Sequence, residues 1–182
     1  MSSLMEETLR FNDGFVSSGK YGSYAAEKLP RKKLAVVTCM DTRLTEILPA
    51  ALNLKNGDAI VIKTAGAIIS HPFGSVMRSL MVAVYDLGVE DIWVIGHRDC
   101  GMRGMEAEGI LRKMADRGIG GPNIDFIRNC GVDIDKWLHG FAKVEDTVLD
   151  TVSAIKNHPL IPKDIAVRGF VMDPETGKLD TI

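Results

Sequence analysis

Short apolar, β-branched runs alternate along this chain with stretches whose apolar positions recur at helical spacing. Leu34-Ala-Val-Val-Thr38 has the character of a strand buried on both faces. Ala59-Ile-Val-Ile-Lys63 and Ile92-Trp-Val-Ile95 repeat it, and Ile165–Val171 is a fourth candidate. Between the second and third runs, Val76, Leu80, Ala83, Val84 and Leu87 predict a helix over 75–87. Ser75 is its expected N-cap, and Gly88 stands where a C-cap glycine belongs. A helix so placed is a crossover between parallel strands, and such crossovers are right-handed. The fold class is therefore α/β, with a mainly parallel central sheet flanked by helices.

The remainder reads as helix or loop. Met5–Val16 predicts an amphipathic N-terminal helix, weakened by Asn12, Asp13 and Gly14. Residues 101–117 look helical, and 118–122 break that helix. Val144, Val148, Val152 and Ile155 share one face of a helix over 144–156. Asp173-Pro-Glu-Thr-Gly177 is a turn, after which Lys178–Ile182 is expected to return as an antiparallel edge strand. No repeat or linker divides the chain, so a single domain over 1–182 is expected, with an N-terminal helical segment over about 1–30. Phe11, Phe15, Tyr21 and Tyr24 suit either packing across a partner subunit or covering the chain's own core.

Composition narrows the function classes. With 182 residues, 25% of them charged, and a net charge of -2, the chain lacks the basic footprint of a nucleic-acid binder. No apolar run approaches the roughly 20 residues of a membrane span. The N-terminus has no apolar signal region, so a cytoplasmic location is expected. Three cysteines are too few and too odd in number for a disulfide framework. In a reducing compartment, cysteines near a histidine are metal or catalytic candidates. Cys130 stands apart and reads as a small buried hydrophobe.

The chemistry-bearing residues fall at the C-terminal ends of two predicted strands: Cys39 after the first, and His97 and Cys100 after the third. Open α/β sheets place their sites beyond those ends. Thiolate and imidazole suit zinc, and three protein ligands leave a fourth tetrahedral position for water. The spacing alone leaves buried thiols and a hydrogen-bonded loop histidine equally open. Asp41 and Arg43, directly after Cys39, add a carboxylate that a bidentate arginine would keep ionised. That carboxylate could accept a hydrogen bond from water on the metal, or reach the metal itself.

Cys39-Met-Asp-Thr-Arg43 followed by Gly96-His-Arg-Asp-Cys-Gly101 resembles the β-class carbonic anhydrases, in particular their short prokaryotic branch. The likeness continues more loosely to Gly169-Phe-Val-Met-Asp-Pro-Glu-Thr-Gly177. It implies Cys39, His97 and Cys100 as ligands of one zinc ion per chain. It implies Asp41 as a conditional fourth ligand and, with Arg43, a catalytic dyad. It further implies about four parallel strands with an added antiparallel one, an obligate homodimer or higher homo-oligomer, and reversible hydration of carbon dioxide to bicarbonate. Zinc lowers the pKa of bound water from about 15.7 toward about 7, a magnitude that comes from a three-histidine carbonic anhydrase site rather than this one. Two thiolates donate more charge than imidazoles, so an alkaline activity optimum is expected here. Gly66 and Gly101 are expected to border the substrate pocket, where glycine permits close backbone approach.

Two departures stand out. Family members often carry Arg-Asn-Ala-Gly-Gly where this chain has Lys63-Thr-Ala-Gly-Ala67, so the arginine fork and an amide are lost. Arg98 stands where threonine is frequent and is expected to face solvent. His71 is a conceivable proton shuttle or a loop-capping histidine; His139 and His158 read as structural or exposed. Two other functions compete: hydrolysis of another cumulated substrate, such as carbon disulfide or carbonyl sulfide, on the same scaffold, and a non-catalytic zinc-stabilised module.

Overall fold

The computed structural model describes residues 3–182. Five strands form one sheet: β1 (Leu34–Cys39), β2 (Ala59–Thr64), β3 (Asp91–His97), β4 (Ala166–Met172) and β5 (Leu179–Thr181). Their order is β2-β1-β3-β4-β5, with the first four parallel and β5 antiparallel to β4. Each predicted strand is present; β1 to β4 run one or two residues further at their C-terminal ends than expected, and β5 is shorter, only Leu179–Thr181. Every residue of β1 is buried, as the unbroken apolar run requires of a strand covered on both faces.

Alternation along β1 sends Ala35 and Val37 to one face of the sheet and Leu34 and Val36 to the other. The first face packs under α3 (Ser75–Tyr85) and α7 (Val144–Lys156), through Leu80, Val148, Val152 and Ile155. The second meets α2 (Leu44–Ala51) through Leu44 and Leu48, together with Phe170 and Met172. Each such side chain stabilises the fold by roughly 1.5–3 kcal/mol when fully buried. Gly96 lets α7 sit directly on β3: a Cβ there would lie 2.6 Å from Val144 Cγ2 and 2.7 Å from Val148 Cγ2.

Several boundaries differ from the sequence reading; α3, for one, ends at Tyr85 with Asp86 as its cap, short of the expected 87 and Gly88. The cap of α3 is Gly74, and Ser75 is already its first helical residue. Residues 101–105 are not helical, and α4 runs only from Ala107 to Asp116. Their backbone pairs instead with the segment before α7: Gly140 N donates to Met105 O (2.8 Å), Phe141 N to Met102 O (3.1 Å) and Gly104 N to Phe141 O (2.8 Å). After Gly118, in a left-handed conformation (φ 84°), the chain turns into α5 (Gly121–Asn129) and α6 (Ile134–Leu138), which the periodicity did not resolve. Cys130 is exposed at the end of α5, not buried, because that short helix covers the core with Ile124 alone.

The N-terminal helix α1 (Leu4–Ser17) forms as expected, with a reciprocal cap between Ser3 and Glu6. None of its residues is buried, and the 3-10 turn Lys20–Tyr24 that follows is equally bare. Phe11, Tyr21 and Tyr24 therefore do not cover the chain's own core. No helix among the described residues is long and apolar enough to cross a membrane.

Candidate metal centre

The parallel register brings the site together. Cys39 ends β1 beside Thr64 of β2, and His97 ends β3 one strand away. Cys100 follows on a tight loop, so two adjacent strand ends deliver all three side chains to one point. All three are buried, and their ligating atoms lie within 4.8 Å of one another. The Cys39 and Cys100 sulfurs are 3.8 Å apart. A tetrahedral ion with metal–sulfur bonds of about 2.3 Å needs sulfurs about 3.8 Å apart, so the pair fits without movement.

Histidine orientation points the same way. The His97 Nδ1–H donates to the Arg98 carbonyl (2.8 Å), which leaves Nε2 with a lone pair. That Nε2 is one of two buried side-chain polar atoms without a hydrogen-bond partner among the described residues, the other being Thr64 Oγ1. An unpaired buried lone pair costs about 1–3 kcal/mol, and a cation held with the two sulfurs satisfies it.

The thiols are electrostatically divided. The hydrogen bond with Cys100 is the main force bringing the Cys39 thiol down to about 4. Burial opposes this, while His97 and the backbone N–H groups of Asp41 and Gly66 assist it. Cys100 is pushed up, first by its bond to Cys39 and then by burial. Burial works against the charged form of His97, but the neighbouring Cys39 sulfur raises its pKa. Two thiolates this close repel one another, so the second ionises fully only against a cation.

Asp41 and Arg43 stand beside this cluster as a bidentate pair. Arg43 Nε donates to Asp41 Oδ1 (3.1 Å) and Nη2 to Oδ2 (2.9 Å), while the Arg43 backbone N–H also reaches Oδ1 (2.9 Å). The Arg43 hydrogen bonds hold the Asp41 carboxyl down at about 2. Asp41 Oδ2 lies 3.8 Å from His97 Nε2. Pairing with Asp41 and Asp99 in turn raises the arginine above its ordinary value. Asp99 was not singled out from the sequence, although it lies inside the His97–Cys100 motif. It accepts from Arg43 Nη1 through Oδ2 (2.9 Å) and from Nη2 through its backbone carbonyl (2.8 Å).

The two glycines differ. Gly66 takes φ 74°, and a Cβ there would meet Phe141 Cε1 at 3.0 Å, Met102 Cγ at 3.1 Å and Ile68 Cδ1 at 3.2 Å. Around Gly101 nothing lies within 4 Å of such a Cβ. Arg98 pairs with Asp180 (2.9 Å), fastening the end of β3 to β5 rather than reaching toward the ligands. Lys63 donates to Thr45 (3.0 Å). His71 caps its own loop, its Nδ1 accepting from the Phe73 N–H (3.0 Å). His139 Nδ1 lies 3.1 Å from Glu106, and His158 is buried with both ring nitrogens bonded to backbone.

With that geometry in place, the family model described as carbonic anhydrase matches residues 34–179, from the first residue of β1 to the first of β5. The chain belongs to the β-carbonic anhydrase family. YvdA of Bacillus subtilis (strain 168), whose name places it in the same family, is 53% identical over 174 residues, covering 96% of this chain and 88% of that protein. A carbon disulfide hydrolase of Acidithiobacillus thiooxidans is 31% identical over 155 residues, 81% of this chain and 76% of the relative. The crystal structure of β-carbonic anhydrase isoform I (TvaCA1) from Trichomonas vaginalis superposes with a TM-score of 0.91 at 34% identity, covering 100% of this chain and 98% of that one. The relatives therefore include proteins named as carbonic anhydrases and as carbon disulfide hydrolases, and Cys39, His97 and Cys100 form a cluster that could hold a metal ion.

Proposed function

We propose that this chain is a carbonic anhydrase that holds one zinc ion through Cys39, His97 and Cys100 and interconverts carbon dioxide and bicarbonate. The observation that carries this reading is the buried Cys-His-Cys cluster with its unpaired His97 Nε2, set beside an arginine-held carboxylate. Bound there, zinc would supply the Lewis acidity that makes a water reactive near neutral or alkaline pH.

The chain's own residues do the rest. Asp41, kept ionised by Arg43, would accept a hydrogen bond from the reacting water and so orient its lone pair toward the substrate carbon. The same carboxylate is near enough to the ligands to serve as a fourth one when the site is closed. Backbone groups of Asp41 and Gly66 near Cys39, and of Met102 near Cys100, favour the charged, ligating form of the sulfurs. Phe141, Met102 and Ile68 pack against Gly66, so a side chain at that position has no room. A structural zinc would need neither Asp41 nor Arg43, which argues against a non-catalytic module.

We also read the protein as a homodimer or higher homo-oligomer. Leu4, Leu9, Phe11 and Val16 of α1 are more than half exposed, an apolar arm that a second copy can cover. A reducing cytoplasm suits the site, because it keeps Cys39 and Cys100 from pairing with each other.

Stopped-flow carbon dioxide hydration across pH, with metal analysis of the same sample, tests the function. Zinc at one per chain with turnover rising toward alkaline pH is the expected result; metal-free protein with full turnover would refute it. The similarity to carbon disulfide hydrolase supports a second reading, hydrolysis of carbon disulfide on the same site. Side-by-side turnover of carbon dioxide, carbon disulfide and carbonyl sulfide decides between them.

A further inference from the structure

Asp99 has no part in the reaction as described above, yet its backbone is in the left-handed region (φ 52°). Aspartate tolerates that region better than most side chains. Burial does not hold it there, since its side chain is 84% exposed. What the conformation does is aim two acceptors, Oδ2 and the backbone carbonyl, at the Arg43 guanidinium. The opposite edge of that planar, rigid group is bonded to Asp41. Asp41 therefore cannot move toward the ligand cluster with both its bonds intact unless the guanidinium leaves Asp99.

We propose that Asp99 is an anchor which, through Arg43, keeps Asp41 out of the metal's fourth coordination position. This rests on the zinc reading above. Asp99 is a positioning residue: it touches neither substrate nor the ligating atoms, and acts by fixing the group that holds Asp41 back. It also ties the loop carrying His97 and Cys100 to the loop carrying Asp41, so the ligands and the carboxylate move as one body.

Three variants separate its parts. Asp99→Ala removes the side-chain acceptor, and Asp99→Gly removes it while relieving the backbone. Asp99→Asn keeps an oxygen acceptor and a side chain that tolerates the left-handed region. Each is loaded with cobalt and titrated with azide, following the visible spectrum, and kcat/KM is measured on the zinc form. Ala and Gly variants are expected to keep a full complement of metal but lose about tenfold or more in azide affinity and kcat/KM, within the range of outer-shell effects on metal sites. A crystal structure of either variant should then place an Asp41 oxygen about 2.0–2.2 Å from the metal. Asp99→Asn should recover most of the loss, and Asp99→Gly should match Asp99→Ala in azide response even if it is the more stable.

Wild-type azide affinity and kcat/KM in the Ala or Gly variant would overturn the proposal. So would loss of the metal itself, or an Asn variant no better than Ala. A wild-type protein that binds no metal would instead overturn the zinc reading, a result seen before any variant is made.

Discussion

The strand ends of the sheet and the N-terminal arm are built on opposite principles. Cys39, His97 and Cys100 are fixed by strand register, by burial, by the contact between the two sulfurs and by the Arg98 carbonyl on the imidazole. In α1 the helix is fixed only locally, by its cap, and its apolar side chains meet no core. One region is packed into the chain's own core; the other leaves its apolar side chains exposed. Substitutions should therefore change what the first region does chemically, and change only what the second associates with.

The largest effect is expected from Cys39→Ser or Cys100→Ser, which should abolish metal retention and reduce hydration to background; metal analysis after gel filtration reads it directly. Gly96→Val should come next. Its side chain would be driven into Val144 and Val148, already 2.6–2.7 Å from a bare Cβ, and overpacking of this kind costs roughly 1–3 kcal/mol or more, readable as a fall in Tm.

Arg43→Gln should be milder for stability but visible in pH dependence. Asp41 is held down by Arg43, so the pair contributes stability that is present above the ordinary carboxyl value of 3.8 and lost as pH falls through about 2. Without the arginine the carboxyl returns toward its ordinary value, and both the acid limb of activity and acid unfolding should move to higher pH. An Arg43→Gln protein with an unchanged profile would remove the dyad from the account.

The smallest effect on the fold is expected from Phe11→Glu in α1. An exposed side chain with no core contact should leave the protomer's own stability within about 0.5 kcal/mol, while shifting sedimentation toward monomer. An unchanged oligomer would mean that the arm is not the covered surface.

Legibility in the sequence follows the same division. β1 and β3 announced themselves because each carries an apolar run, Leu34–Val37 and Ile92–Ile95, that is buried or nearly so, and α7 because its apolar face repeats without interruption. The segment from 101 to 142 was hard to read, since its boundaries depend on pairing with distant backbone. Residues 101–105 would be acceptable helix on composition, but Gly140 and Phe141 take up their hydrogen-bonding groups. Cys130 misled for a related reason: a free cysteine is usually buried, but α5 rests on the core through one residue. Asp99 was passed over because an acidic residue between two ligands looks like solvated loop until the arginine it meets is seen in space.

By itself the sequence determined the alternation of elements, the ligand types and the Asp41–Arg43 spacing, because these depend on local pattern and on the chemistry of individual side chains. Tertiary structure decided that β1 and β3 lie side by side, which alone converts two motifs 58 positions apart (97 − 39) into one cluster. It also decided that Arg43 has a second carboxylate and that α1 is left bare. Contacts of that kind depend on how distant segments dock, and no window of sequence contains both partners.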